Sequence, residues 1–457
     1  MPRNNEAVGT KLQRIADKAR EDPQCRFTSL FHLMNKDLLW ESFEQLRKDA
    51  AAGVDRVTKE EYGANLEQNL EELVSKLHTM SYIPQPVRKV LIPKPGSRKK
   101  RPLGIPALED KLVQAGLTRI LTAIYEADFI EDSYGFRPKR GCHDALRALS
   151  HAVEQNAVNH IVDADIKGFF DNVEHEWMMK FLEHRIADKR VLRYIVRFLK
   201  AGIMSDGVVE DSDMGTPQGG VVSPVLANIY LHYSLDLWFE RVFSKSCTGY
   251  ARLIRYADDF VACFQQEADA IRFRQELEAR LASFGLELSP EKTKVIKFGP
   301  IAGIKAKRNG GKPDTFDFLG FTHYCSRTRD GKRFRMKRRT SRKKYTIAIR
   351  KFTEWLKTNR TMPTRELMEK VAAKMKGHYA YYGVTDNSKG IGQYAYDVRK
   401  CLIKWLNRRG KRGCMNWEKF NLLLEKFPLP TPRICVSMWK SPSRSKPQKQ
   451  MHLFASP

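Results

Sequence analysis

Apolar residues recur along the chain with two different periods, and the changes of period mark its elements. Leu70, Leu73, Val74 and Leu77 keep an i, i+3, i+4, i+7 spacing, one buried helix face, and residues 1–80 read as helical around a turn at Gly53-Val54-Asp55. Val87–Pro93 alternates as a strand does. Lys94–Arg101 is then a Pro-Gly turn with a basic tip, and Leu103–Ile105 returns as the partner strand. Helical spacing resumes from Asp110 to about Tyr125. It returns over Lys189–Leu199, with Val191, Leu192, Ile195 and Leu199 on one side. Ser223 is placed to cap a helix whose first residue is Pro224. Tyr250–Arg255 and Val261–Phe264 are short strands either side of Tyr256-Ala-Asp-Asp-Phe260. Ala268–Phe284 is a helix with Ile271, Leu277, Leu281 and Phe284 for burial and Gly285 as its C-cap residue. A turn and a strand follow in Leu286–Phe298, and Phe316–Phe321 alternates into a Gly as a tight hairpin does. Gly331–Lys344 reads as a basic linker or RNA-facing segment. Helices over Lys343–Lys357, Pro363–Tyr382 and Gln393–Arg409 make a three-helix bundle. The tail from Pro428 is expected to fray after Trp439.

At 457 residues there is room for roughly two to four domains. No apolar run reaches the ~18 residues of a membrane span. The start, Met-Pro-Arg-Asn-Asn-Glu, has neither the apolar stretch of a secretory signal nor the acid-poor character of a transit peptide. Eight scattered cysteines without a Cys-x-x-Cys pair suggest a reducing compartment and argue against a zinc module. Charge changes the picture more. Gly331–Pro457 holds 32 Lys/Arg against 7 Asp/Glu, a net of +25 of the chain's +28. A basic end beside a balanced remainder points to a polyanion, nucleic acid before an anionic membrane, since no basic helix has an inserting face.

Candidate chemistry gathers at strand ends. Asp258 and Asp259 sit at a tight connection, and neighbouring side chains on a strand point to opposite faces, so the two are not equivalent. Like charges this close repel unless something positive lies beside them. Upstream, Ile161-Val162 starts a buried strand punctuated by Asp163, Asp165 and Asp171. Carboxylates there need a cation: Lys167, or a divalent metal such as magnesium, which takes one or two carboxylates plus substrate phosphates. The residues alone do not choose among the three. Two loops suit nucleic acid. One is the basic finger Lys94–Arg101. The other is Met214–Pro224, whose Gly219-Gly220 lets a backbone come close, with Gln218 as a polar reader. Arg137 beside two aromatics packs either on a nucleic-acid backbone or at a core edge. His143 reads as structural.

Six segments in this order resemble the motifs of a group II intron-encoded reverse transcriptase and maturase. They are Ile92-Pro-Lys94…Arg101-Pro-Leu-Gly-Ile-Pro106, Tyr134-Gly-Phe-Arg-Pro138, Asp163-Ala-Asp-Ile-Lys-Gly-Phe-Phe-Asp171, Gly215-Thr-Pro-Gln-Gly-Gly-Val-Val-Ser-Pro224, Tyr256-Ala-Asp-Asp259 and Phe318-Leu-Gly-Phe321. The resemblance covers nearly all of the chain. It implies an α+β, right-hand polymerase, with fingers, an antiparallel palm sheet packed on helices, and a helical thumb called maturase domain X. Residues 1–80 would be an N-terminal helical extension and the start of the fingers, 81–330 the fingers and palm, and 331–412 a basic three-helix domain X. Residues 413–457 would be a basic tail suited to DNA.

The same resemblance assigns roles. Asp165, five residues before Phe170, matches the family's first metal-binding Asp, in preference to Asp163. The backbone carbonyl of Ile166, Asp258 and, less directly, Asp259 complete a set for two Mg2+ ions. Lys94 and Arg101 match the finger residues on the triphosphate, Phe170 the residue under the sugar, and Gln218 the one beside the nucleotide. Phe318, Leu319, Gly320 and Phe321 match the primer grip. Arg335, Lys337, Arg338 and Arg339 form the candidate RNA-binding run. Implied partners are the group II intron RNA, an RNA template with a DNA primer, dNTPs and target DNA, without a membrane, in the bacterial cytoplasm and nucleoid. Cys401, Cys414 and Cys435 form none of the Cys/His pairs of the family's endonuclease module, which resembles the compact bacterial class without it. The alternatives are a reverse transcriptase of a retron, a diversity-generating element or a defence system, and an RNA-binding splicing factor with a vestigial polymerase site.

Overall fold

A computed structural model describes residues 7–93, 100–205, 208–210, 214–215, 219–409 and 415–439. In chain order the elements are α1 (Val8–Glu21), α2 (Lys36–Gln45), α3 (Lys59–Ala64), α4 (Leu66–His78), β1 (Val87–Pro93), β2 (Lys100–Ile105), α5 (Leu108–Tyr125), α6 (Cys142–Gln155) and β3 (His160–Asp165). They continue as α7 (His175–Glu183), α8 (Lys189–Leu199), β4 (Ile203–Ser205), β5 (Val208–Glu210), α9 (Ser223–Leu231), β6 (Ala251–Tyr256), β7 (Asp259–Phe264), α10 (Glu267–Ala282) and β8 (Lys294–Lys297). The last are α11 (Pro300–Arg308), β9 (Thr315–Phe318), β10 (Phe321–Arg327), β11 (Phe334–Thr340), α12 (Arg342–Asn359), α13 (Thr364–Tyr382), α14 (Ser388–Leu406) and α15 (Trp417–Lys426). The fold is mixed α+β with mainly antiparallel sheets. One sheet has the order β6-β7-β3-β8, a second β2-β1-β4-β5, and a third β11-β10-β9. Among the described residues no helix is long and apolar enough to cross a membrane.

The chain forms two compact units. The first comprises Met1–Ala145, Val162–Ala262 and Ala268–Val295. Its central helix is α5. Leu112, Val113, Leu117, Ile120, Leu121, Ile124 and Tyr125 are all withdrawn from solvent, and Asp110, Lys111 and Gln114 are buried with them, so this helix is enclosed over most of its surface. The expected face of α4 is real for Leu70, Leu73 and Leu77, which are fully buried, while Val74 is only partly so. The α8 stripe is likewise as the spacing predicts. The basic finger's stems pair antiparallel, Lys89 opposite Gly104 and Ile92 opposite Arg101; its tip, with Lys94, lies outside the described residues. Two local expectations shift. Ser223 is the first residue of α9 rather than its cap, so Pro224 sits second in the first turn, where a missing N–H costs nothing. Ile271 faces solvent, while Leu277, Leu281 and Phe284 go inward.

The second unit comprises Leu146–Ile161, Cys263–Glu267 and Ile296–Pro457. The basic run expected as a linker or RNA-facing segment contains β11, which pairs with β10 from Phe334–Arg327 to Thr340–Phe321, so it is no linker. A run of cations does not prevent a strand when alternate side chains can point outward. The three expected helices are present as α12, α13 and α14. A fourth, α15, lies in what the sequence presented as tail. Its Phe420 is fully buried in one cluster with Leu356, Val371, Val398, Leu402 and Leu429. Asn416 caps this helix by accepting from the Lys419 N–H. The chain after Trp439 lies outside the described residues.

Truncating Phe420 to Ala should therefore cost roughly 3–5 kcal/mol, the usual loss for a buried Phe. Leu422→Ala, on the exposed side of α15, should stay within about 0.5 kcal/mol. Denaturant unfolding of the two variants followed side by side decides whether α15 belongs to the bundle.

Candidate active site

The hairpin β6–β7 turns through Ala257, whose φ of 56° lies in the left-handed region. Asp258 follows at the turn and Asp259 opens β7. A buried side-chain network makes this turn adopt one shape. Arg255, at 0% exposure, donates from Nε to Asp236 Oδ1 at 2.7 Å and from Nη2 to Asp236 Oδ2 at 2.5 Å. Its Nη1 donates to Asn228 Oδ1 at 2.9 Å and to the carbonyl of Ala257 at 3.0 Å. Asp236 ends a π-helical turn, His232–Asp236, that continues α9. Such a turn widens the helix and re-aims a side chain, here into Arg255.

Asp165 is the last residue of β3, the strand beside β7. The chain then turns at Gly168 into a short 3₁₀ turn, Phe169–Asp171. Burial raises the Asp258 carboxyl above the ordinary carboxylate range. Its own backbone N–H opposes this. The charge of Asp165 adds to the rise, and Arg255 and Arg101 oppose it. So Asp165, Asp258 and Arg101 lie within electrostatic reach of one another. The ammonium of Lys292 sits on Asp165 Oδ2 at 2.6 Å, while Lys167, the cation expected from sequence, pairs instead with Glu287 at 3.0 Å. Lys292 comes from the turn after α10, where the backbone N–H of Ser289 donates to the Asp165 carbonyl.

Two neighbouring carboxylates, one disfavoured as an anion, fit a hard divalent cation, which takes one or two protein carboxylates and fills its shell with water and phosphate. Among the described residues no three His, Cys, Asp or Glu side chains gather into a metal group.

The remaining candidates divide by burial. Phe170 is half-buried and meets Phe169 edge-on at 5.3 Å; Phe169 is buried. Gly219 has φ of 112° and lies so close to β2 that a Cβ would collide with the Gly104 carbonyl and the Leu103 side chain. Only glycine fits there. Gln218 lies outside the described residues. In the second unit, Phe318 and Phe321 are core residues. Phe321 stacks on Tyr381 at 5.9 Å, and the Tyr381 hydroxyl donates to the Leu319 carbonyl at 2.9 Å. Only Leu319 and Gly320, at the turn, face outward in part.

On β11 the alternation is strict: Met336, Arg338 and Thr340 are buried, and Arg335, Lys337 and Arg339 are not. Arg338, at 0% exposure, donates to the Ser150 hydroxyl, and burial lowers its pKa to about 10. It is no surface cation, which corrects its place in the RNA-binding run. Arg335 is tied to Glu154 at 3.4 Å and lies over the Trp439 ring. Sequence reasoning did not find Arg255, Asp236, Asn228 or Lys292. Asp236 had one signal, a lone carboxylate in the apolar run Leu231–Phe239.

Comparison with known proteins fits this geometry. The model of the family described as reverse transcriptase (RNA-dependent DNA polymerase) matches residues 92–323, half of the chain. The chain belongs to this family. The group II intron-encoded protein LtrA of Lactococcus lactis is 37% identical over 222 residues, 48% of this chain and 37% of its own length. Protein YkfC of Escherichia coli is 33% identical over 325 residues, 63% of this chain and 84% of its own length. An uncharacterised 91 kDa protein in a cob intron of Schizosaccharomyces pombe is 34% identical over 213 residues, 47% of this chain and 26% of its length. The chain thus spans well under half the length of two of these three relatives.

Replacing Arg255 by Met strands the Asp236 carboxylate without a partner, and roughly 3–5 kcal/mol of stability should be lost. Arg255→Met with Asp236→Leu should recover a large part, because no buried charge is left over. Chemical unfolding of single and double variants measures this. With Asp236→Leu measured as well, a double-variant loss equal to the sum of the two single losses would mean that the two groups act independently.

Proposed function

We propose that this reverse transcriptase is of the group II intron type, an RNA-directed DNA polymerase that extends a DNA primer on intron RNA and assists splicing of that intron. The reading rests above all on Asp165 and Asp258, two mutually repelling carboxylates held at neighbouring strand ends inside the family-matched region. The intron-encoded relatives support the choice of intron type. In this reading the first unit supplies fingers and palm, and the helices α12–α15 supply the thumb.

Two magnesium ions, held by Asp165, the Ile166 carbonyl, Asp258 and Asp259, would activate the primer 3′-hydroxyl and stabilise charge on the leaving pyrophosphate. The chain's own residues do the rest. Arg255 keeps the Asp258 carboxylate aimed through the Ala257 carbonyl. Arg101, with Lys94 and Gln218, meets the incoming dNTP, its guanidinium matching phosphate oxygens. Phe170, braced by Phe169, excludes a ribose 2′-hydroxyl by contact. The Leu319-Gly320 turn, rather than the buried Phe318 and Phe321, offers backbone to the primer strand. Lys337 and Arg339 on the open face of β11 carry the RNA contact, with Arg335 in part. The protein works with its RNA at target DNA in the bacterial cytoplasm.

Asp258→Asn should lower cDNA synthesis with magnesium by several orders of magnitude while intron RNA binding stays near wild type. Primer extension and filter binding on the same preparations separate the two activities. Extension at wild-type rate would remove this hairpin from the chemistry, and a wild-type protein that binds RNA without extending a primer would favour a splicing factor.

A paired experiment concerns the basic strand. Lys337→Gln with Arg339→Gln should weaken intron RNA binding and flatten its salt dependence, by up to about 0.9 in slope per lost duplex contact. Arg338→Met should leave the slope alone. Salt titration of all three proteins reads this out, and an unchanged slope in the double variant places the RNA footprint elsewhere.

A further inference from the structure

The loop between α5 and α6 is built against the Asp258 turn, and two of its residues face solvent instead. Ser133 bridges Arg255, and the N–H of Tyr134 donates to the Arg255 carbonyl at 2.9 Å. Gly135 lies so close to the turn that a Cβ would collide with the Ala257 backbone nitrogen, and its carbonyl accepts from Asn228 Nδ2 at 2.7 Å. Arg137 points inward. It is 2% exposed, with Nε and Nη2 on Glu126 and Nη1 on the Ile130 and Ser133 carbonyls. It fills the core edge, one of its two readings from sequence, and does not reach a nucleic-acid backbone. Arg140 is likewise engaged, with Glu131 at 2.8 Å.

Between and after these anchors stand Phe136 and Lys139. Both have a left-handed backbone, φ of 56° and 60°, which side chains other than Gly, Asn and Asp seldom adopt. Both point to solvent, Phe136 with 45% of its surface exposed. The Phe136 ring meets no other ring, and Lys139 makes no ion pair among the described residues. The anchors over-determine the loop, and its strain is spent on presenting an aromatic ring and an ammonium group. Phe136 is one residue from Gly135, and Asp258 one residue from Ala257, across a backbone contact.

We propose that Phe136 and Lys139 form a contact for the template–primer at the polymerising end, the ring against a base face and the ammonium on a neighbouring phosphate. An aromatic platform with a cation three residues on is the chemistry of single- and double-strand nucleic-acid binding. A protein partner would be met by a wider apolar face, whereas Phe136 is the one large apolar side chain exposed among the described residues of this loop. The proposal rests on the polymerase reading for what lies beside Asp258.

The test is Phe136→Gly, a change that removes the ring and suits the positive φ, so the variant should fold at least as well as wild type. Its affinity for a preformed template–primer should drop about tenfold or more, the value of one stacked base. KM for template–primer should rise more than kcat falls, with KM for dNTP little changed, and Phe136→Trp should restore binding. Lys139→Gln should flatten the salt dependence of binding. Wild-type affinity in Phe136→Gly overturns the contact while leaving the polymerase reading intact. A wild-type protein that binds template–primer without extending it overturns the polymerase reading, and the binding comparison still decides the contact. A wild-type protein that binds no template–primer overturns both.

Discussion

The ion pair of Arg255 with Asp236 is the constraint on which the candidate site depends. Both groups are wholly buried, so taking them out of water costs several kcal/mol each, and their attraction does little more than repay it. The pair is thus poorly explained as a source of stability. What it supplies is direction. A guanidinium has its donors in a fixed plane, and all of those used here have acceptors: two oxygens of Asp236, the Asn228 amide and the Ala257 carbonyl. The Ala257 carbonyl cannot rotate without losing a charged donor. Asn228 passes the same constraint to Gly135, and the Arg255 backbone passes it to Asp132 and Tyr134. Asp258 is therefore held by its neighbours on both sides of the chain.

That rigidity is needed because the carboxylates themselves are in conflict. Asp258 is partly buried beside Asp165, and both effects disfavour its charge. Lys292 neutralises Asp165 but leaves Asp258 to Arg255 and Arg101. A loose turn would resolve the conflict by swinging Asp258 into water. The backbone strain of this region follows the same pattern, since Ala257, Phe136 and Lys139 all carry positive φ without being glycine. Local rules are broken together where the surrounding packing is strong enough to enforce them, as expected of a site shaped for a ligand rather than for stability.

How much of this was legible in the sequence follows from where each signal lives. Periodicity is local, so α4, α8, α10, α13 and the β9–β10 hairpin were readable within a few residues of their ends. The six motifs named the family and the carboxylates because spacing along the chain survives without coordinates. Burial of a charged residue is not local. Arg255 and Arg338 look like any surface arginine in the sequence, and each is buried because another segment brings acceptors to it. The α15 helix was missed for another reason. At ten residues it is too short to be stable alone, and Phe420 only makes sense against helices far upstream.

The basic end of the chain shows the difference between charge and availability. The excess of 32 Lys/Arg over 7 Asp/Glu suggests a uniform polyanion-binding surface. The period of the strand cuts into that total, because a two-residue repeat sends Arg338 inward and leaves Lys337 and Arg339 outward. Other cations are laid on aromatic rings, Lys374 on Trp355 at 4.4 Å, Lys400 on Tyr396 at 4.9 Å and Arg408 on Trp405 at 4.8 Å. A cation over a ring keeps its charge, and its stem covers apolar surface that would otherwise be wet. Such residues are held in place in advance, so less side-chain freedom is lost when a phosphate binds one. Affinity for a polyanion scales with the phosphates that cations reach, not with formal charge. A pre-ordered lysine or arginine therefore counts for more toward such affinity than its formal charge alone.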